Sequence, residues 1–128
     1  MSRNESTTSA ATNDLDHLVP AWLNLPEVAE RLGVGVNRVR QLLRDRELIA
    51  LPHGERGVLH VPADFLAGDR VVKGLAGTLT VLHDAGYDEV EAVRWLHTPD
   101  DGLDGTPIAA LADNRGRQVR RQAQALGF

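Results

Sequence analysis

Residues 25–44, LPEVAERLGVGVNRVRQLLR, read as two short amphipathic helices meeting at Gly33. Asn24 is a good N-cap, Glu27 stands three positions on at capping-box spacing, and Pro26 falls in the first turn, where its missing N–H is harmless. The first helix is therefore expected from about Leu25. Leu25, Val28, Ala29 and Leu32 recur at three- and four-residue steps and share one face. Gly33 then supplies the permissive backbone that a sharp turn needs. Val34 is the expected apolar plug of that turn, Gly35 takes the next N-cap position, and Val39, Leu42 and Leu43 form the buried stripe of the second helix. Val36, Asn37, Arg38, Arg40, Gln41 and Arg44 are left outside. This is the pattern of a helix-turn-helix.

The outward residues carry base-reading and phosphate-holding chemistry. Asn and Gln can bond an adenine edge bidentately, Arg can bond guanine O6 and N7, and an Arg not aimed at a base can hold a phosphate. The start of the second helix of such a motif enters the major groove. That places Asn37, Arg38 and Gln41 nearest the bases and Arg40, Arg44 and Arg46 nearer the backbone, with Val36 also on the DNA-facing side. The bland alternative is a helical hairpin with a solvated basic face.

After Leu48 the pattern changes to period two, with LIALP at 48–52 and GVLHVP at 57–62 around the turn-rich HGER. A hairpin directly after the second helix is the wing of a winged helix-turn-helix. Arg56 at its tip can reach a phosphate or a narrow minor groove; a plain solvated turn residue is the equal alternative. His53 is expected to be a turn residue. From Pro62 the chain is expected to return to helix, with Phe65 and Leu66 under the wing. One helix is expected over about Val71–Ala85, with Val72, Leu75, Leu79 and Leu82 on one face and Gly86 as its stop. Asp88 and Glu91 repeat the capping-box spacing and open a helix to about His97. Residues 98–107 read as a loop, Thr106 before Pro107 opens a short helix, and a last basic helix is expected over Arg115–Leu126.

Net charge is −4, with 18 acidic against 14 basic residues, which is the wrong sign for a generic nucleic-acid binder. Its distribution matters more. Residues 36–46 hold four arginines against one aspartate, so cationic charge is concentrated on the second helix. Binding to double-stranded DNA is therefore expected to be weak and steeply salt-dependent. Aromatic residues are only 4%, which argues against stacking platforms for single strands. Zero cysteines exclude a disulfide framework and a thiolate metal site, in keeping with a cytoplasmic (nucleoid) protein. The longest apolar runs are too short to span a membrane, and the polar N-terminus lacks the features of a signal peptide.

Residues 1–20 are rich in Ser, Thr and Asn and read as a disordered tail whose end Leu15, Leu18, Val19 and Trp22 anchor. Ser2, Ser6, Thr7, Thr8, Ser9 and Thr12 are candidate phosphorylation sites, though such residues are equally the default filler of tails, and a phosphate near the second helix would repel DNA. In the C-terminal half, residues 84–113 hold eight acids and one base, whereas 114–128 hold four arginines and no acid. The simplest reading packs the last helix beside the acidic segment of the same chain. A second makes this half a homodimer or partner surface, and a third gives the terminal arginines an auxiliary phosphate contact.

VVKGLAGTLTVLHDAGYDEVEAVRWLHTPD at 71–100, with RQVRRQAQALGF at 117–128 and LPEVAERLGV at 25–34, resembles the actinobacterial winged helix-turn-helix DNA-binding proteins known as substrates of the PknL-type Ser/Thr kinase. The likeness covers about residues 22–128. It implies a compact DNA-binding protein whose N-terminal tail is phosphorylated on a threonine by a Ser/Thr protein kinase, with loss of DNA binding. The first half is also similar to MerR and excisionase-type winged modules, and residues 106–126 faintly resemble the toxin-binding end of Xre-type antitoxins.

The five histidines fall at no metal-ligand spacing, and there is no HExxH, phosphate-cradling glycine loop or Ser/His/Asp arrangement. No catalytic residue, metal or cofactor is expected. The expectation is thus a mainly α protein with a small β-hairpin wing: a tail at 1–20, a winged helix-turn-helix domain at 21–67, and a C-terminal helical domain at 68–128 packed on it. Its expected function is that of a transcriptional regulator or nucleoid-associated factor. The alternative is a protein-interaction module, antitoxin-like or adaptor, that uses the charged C-terminal half.

Overall fold

In the computed structural model, residues 15–127 are described. The candidate threonines Thr7, Thr8 and Thr12, and all but the end of the tail, lie outside them. Strand β1 (Trp22–Asn24) runs straight into helix α1 (Leu25–Leu32), and helix α2 (Val36–Arg44) follows. Strands β2 (Leu51–His53) and β3 (Val58–Pro62) form the hairpin. A second, two-stranded hairpin, β4 (Leu66–Ala67) and β5 (Arg70–Val71), leads to helices α3 (Leu75–Asp84), α4 (Glu89–Leu96), α5 (Pro107–Ala112) and α6 (Gly116–Gln124).

Local chemistry explains most boundaries. Asn24 Oδ1 accepts from the Glu27 amide at 2.9 Å while Glu27 Oε1 accepts from the Asn24 amide at 2.8 Å, so the expected capping box forms at the point where strand becomes helix. Asp88 and Glu91 repeat it for α4 at 2.8 and 2.9 Å. Thr106 caps α5, with Pro107 in its first turn. Gly33 closes α1 in the left-handed region at φ 69°, and its amide and that of Val34 return to carbonyls of the last turn.

Trp22–Asn24 was expected only to anchor and cap. Instead β1 is the third strand of the wing sheet, in the order β1-β3-β2, with Trp22 opposite Pro62 and Asn24 opposite His60. The helix expected from Val71 begins at Leu75. Leu66 pairs with Val71 across a turn that needs Gly68 at φ 65°, which extends the chain there before Gly74 at φ 88° redirects it. The last helix ends at Gln124, and Leu126 lies in a 3₁₀ turn. Val34, expected as a plug, is 38% exposed, because the backbone bonds at Gly33 and Val34 close the turn without it.

One core runs through both halves. It takes Val28, Val39 and Leu42 from the helix pair, Val61 and Phe65 from and beyond the wing, Leu75, Leu79 and Leu82 from α3, and Val119 and Ala123 from α6. Leu15 and Val19 are buried in it and Leu18 and Trp22 pack partly against it, which is how the end of the tail is held. The last helix packs on α3 and α5 through apolar contacts. The last helix thus lies beside α5, within the acidic segment, and among the described residues no ion pair joins its arginines to that segment's carboxylates.

Candidate nucleic-acid interface

Burial of Val39 and Leu42, with Leu43 half-buried, fixes which way α2 turns. At about 100° per residue the opposite side carries Asn37, Gln41 and Arg44, with Arg40 on one flank and Arg38 on the other. Asn37, Arg38, Arg40 and Arg44 are exposed, whereas Val36 and Gln41 are half-buried. Gly35 caps α2 with no side-chain hydrogen bond, so the first-turn amides have no capping side chain.

The structure qualifies three of the expected contacts. Gln41 is engaged at both ends of its amide: Nε2 donates to both Asp45 carboxylate oxygens at 3.1 Å, and Oε1 accepts from Arg44 Nη2 at 2.8 Å. A base edge would have to displace Asp45. Val36 packs against the core rather than standing clear. Arg46 departs most, since the chain leaves α2 with Arg46 at φ 56°. It then lines a cavity of ≈ 280 Å³ with Ile49, Leu79, Tyr87, Asp88 and Glu89, away from the row on α2.

The wing stands beside α2. A groove of ≈ 220 Å³ separates them, lined by Leu25, Pro26, Val36, Arg40, Val58 and Leu59, so Arg40 stands on the side of α2 that faces the hairpin. Gly54 and Gly57, both at positive φ, close the turn at the tip, and Arg56 is exposed there. Val58 and Leu59 are also exposed, two apolar wing residues absent from the sequence expectation. The signal was the adjacent pair itself: neighbouring strand residues face opposite ways, so a single-sided sheet cannot bury both.

His53 faces inward, as a turn-root residue rather than a contact. Its ring stacks on Trp22 at 4.6 Å and meets the edge of His60 at 5.2 Å, and Nδ1 lies 3.3 Å from Asp16 Oδ1. Among the described residues no group of three or more His, Cys, Asp or Glu could hold a metal ion, and no helix is long and apolar enough to cross a membrane.

Comparison with known proteins agrees with this geometry. The family described as "DNA-binding protein Rv2175c, wHTH domain" matches residues 10–66, and "Rv2175c C-terminal domain of unknown function" matches residues 72–127. The chain is 42% identical over 131 residues to DNA-binding protein Rv2175c of Mycobacterium tuberculosis, covering 93% of this chain and 88% of that protein. It is also similar to the NMR structure of Rv2175c, with a TM-score of 0.75 and 39% identity over 84% of this chain and 82% of the other. A winged helix-turn-helix followed by a helical half, matched along nearly all its length, means that this chain belongs to the Rv2175c family.

Proposed function

We propose that this protein binds double-stranded DNA as a transcriptional regulator or nucleoid-associated factor of the cytoplasm, and that it is a binding protein rather than an enzyme. One observation carries the reading: Asn37, Arg40 and Arg44 form an exposed row on α2 directly beside a wing tipped by Arg56. The relative's name as a DNA-binding protein supports it. In this reading Asn37 and Arg38 read base edges, with Gln41 joining them if Asp45 is displaced, and Arg40, Arg44 and Arg56 hold phosphates. Phosphorylation of the tail at Thr7, Thr8 or Thr12 by a Ser/Thr kinase adds nearly two negative charges per site and weakens binding by repulsion.

The test is a duplex titration at several salt concentrations. Arg44→Ala is expected to weaken all sequences alike and flatten the slope of log K against log salt by about 0.9. Asn37→Ala is expected to change base preference instead. Equal losses for Asn37→Ala on selected and random duplexes remove its base-reading role, and a wild-type chain that retains no duplex removes the whole reading.

A further inference from the structure

We propose that a cationic groove where α3 and α6 begin is a second contact for the phosphodiester backbone of duplex DNA, which gives the C-terminal half the role of a clamp. This rests on the duplex binding proposed for α2. The groove has a volume of ≈ 670 Å³, and Lys73, Arg115, Arg117 and Arg120 line it with no carboxylate among its walls. In a chain with 18 acidic residues against 14 basic ones, four cations gathered without an acid repel one another until an anion arrives. Among the described residues none of the four forms an ion pair.

The groove is also built from backbone. Gly74 and Gly116 lie so close that a Cβ on Gly74 would sit 3.8 Å from Gly116 Cα and 3.2 Å from Leu111 Cδ2. This close approach sets the starts of the ten-residue α3 and the nine-residue α6 side by side. Neither has a side-chain cap; the first amide of α3, at Leu75, is taken by the Val72 carbonyl oxygen at 3.2 Å, whereas the Gly116–Gln118 amides of α6 face the groove end with no capping side chain. Arg115 Nη1 is held at 2.9 Å by the Leu103 carbonyl oxygen, and the stem of Arg120 lies across Gly77. Arg117 and Arg120 remain exposed.

The groove connects with the helix-turn-helix through a short path. Lys73 follows β5, and Arg31 Nε, on the last turn of α1, donates to Gly68 O at 3.3 Å in the turn of that hairpin. In helix-turn-helix docking the first helix crosses the DNA backbone. Arg31 and Lys73 thus stand along the way from α1 to the groove, with Arg70 between them paired to Asp69 at 3.9 Å. Four cations spread around a groove of this volume suit a duplex, which carries a charge about every 1.7 Å of its axis.

The test compares the full chain with Arg117→Ala/Arg120→Ala on a duplex of about three helical turns (~30 bp). The double variant is expected to flatten the salt slope by about 1.8, with an unchanged melting curve because both side chains are exposed. Arg117→Glu/Arg120→Glu is expected to lose more affinity still. If neither variant moves the slope while Arg44→Ala does, the clamp is overturned and the α2 reading stands. If the wild-type chain binds no duplex, both fall. Titration with inorganic phosphate separates the other source of this anion: saturable shifts of the Gly116–Gln118 amides, with an unaltered duplex slope, identify a small-anion site and overturn the clamp.

Discussion

His97 Nε2 lies 2.8 Å from Asp64 Oδ1, and this contact ties the C-terminal end of α4 to the turn that follows the wing. The ring is 3% exposed and stacks at 5.8 Å on Phe65, which is fully buried. Its Nδ1 lies 2.8 Å from the Val93 carbonyl oxygen, an acceptor only, so Nδ1 donates there and Nε2 is the ring nitrogen that faces the Asp64 carboxyl group. Asp64→Ala leaves a buried ring nitrogen without its partner and is expected to lower stability by about 1–3 kcal/mol. Urea unfolding measures this, and a midpoint unchanged with the same m-value removes the role.

Gly33 and Gly74 both sit at positive φ, at 69° and 88°, but their surroundings differ. A Cβ at Gly33 meets nothing within 4 Å, so Gly33→Ala is expected to cost only the left-handed strain of about 1–2 kcal/mol. At Gly74 the same strain is joined by overpacking against Leu111, which adds about 1 kcal/mol or more. Thermal denaturation of both variants should rank Gly74→Ala lower, and the reverse order contradicts the packing described.

Arg40 and Arg46 carry the same charge and lie six positions apart, yet they face different surroundings. Arg40→Ala is expected to flatten the salt slope of duplex binding by about 0.9, and Arg56→Ala at the wing tip by a similar amount. Arg46→Ala, whose side chain lines the cavity beside α4, is expected to leave the slope unchanged. A fall for Arg46→Ala equal to that for Arg40→Ala contradicts this separation.

Asn24→Ala removes the acceptor that caps α1 and is expected to cost about 1 kcal/mol, within the usual 0.5–2 kcal/mol for such caps. Asp88→Ala is expected to cost a similar amount at α4. Both are read from denaturant midpoints, and a value near zero at Asn24 means that pairing of β1 alone holds the helix start.

Elements with strong local chemistry were legible in the sequence. Asn24 with Glu27 and Asp88 with Glu91 announced two helix starts, and Gly33 announced the turn, because each solves a problem confined to a few neighbouring residues. Trp22–Asn24 was not legible as a strand, since three residues are too few to show a period and their partner lies in β3. Val71 looked helical from the apolar spacing that follows it, but its pairing with Leu66 decided otherwise. On the candidate interface, the row Asn37, Arg40 and Arg44 followed from helix phase. The diversion of Arg46 depends on the positive φ at that residue, and the engagement of Gln41 depends on Asp45; neither shows in a pattern of residue types.

Because Asn24 is both the last residue of β1 and the cap of α1, no slack joins sheet to helix. The wing sheet and α1 therefore form one piece, and α2 is carried on it through the turn at Gly33. In the proposed binding mode a duplex seated between α2 and the wing supplies any bending or groove opening itself, and the flexibility of base steps that the protein never touches would then enter its choice of site.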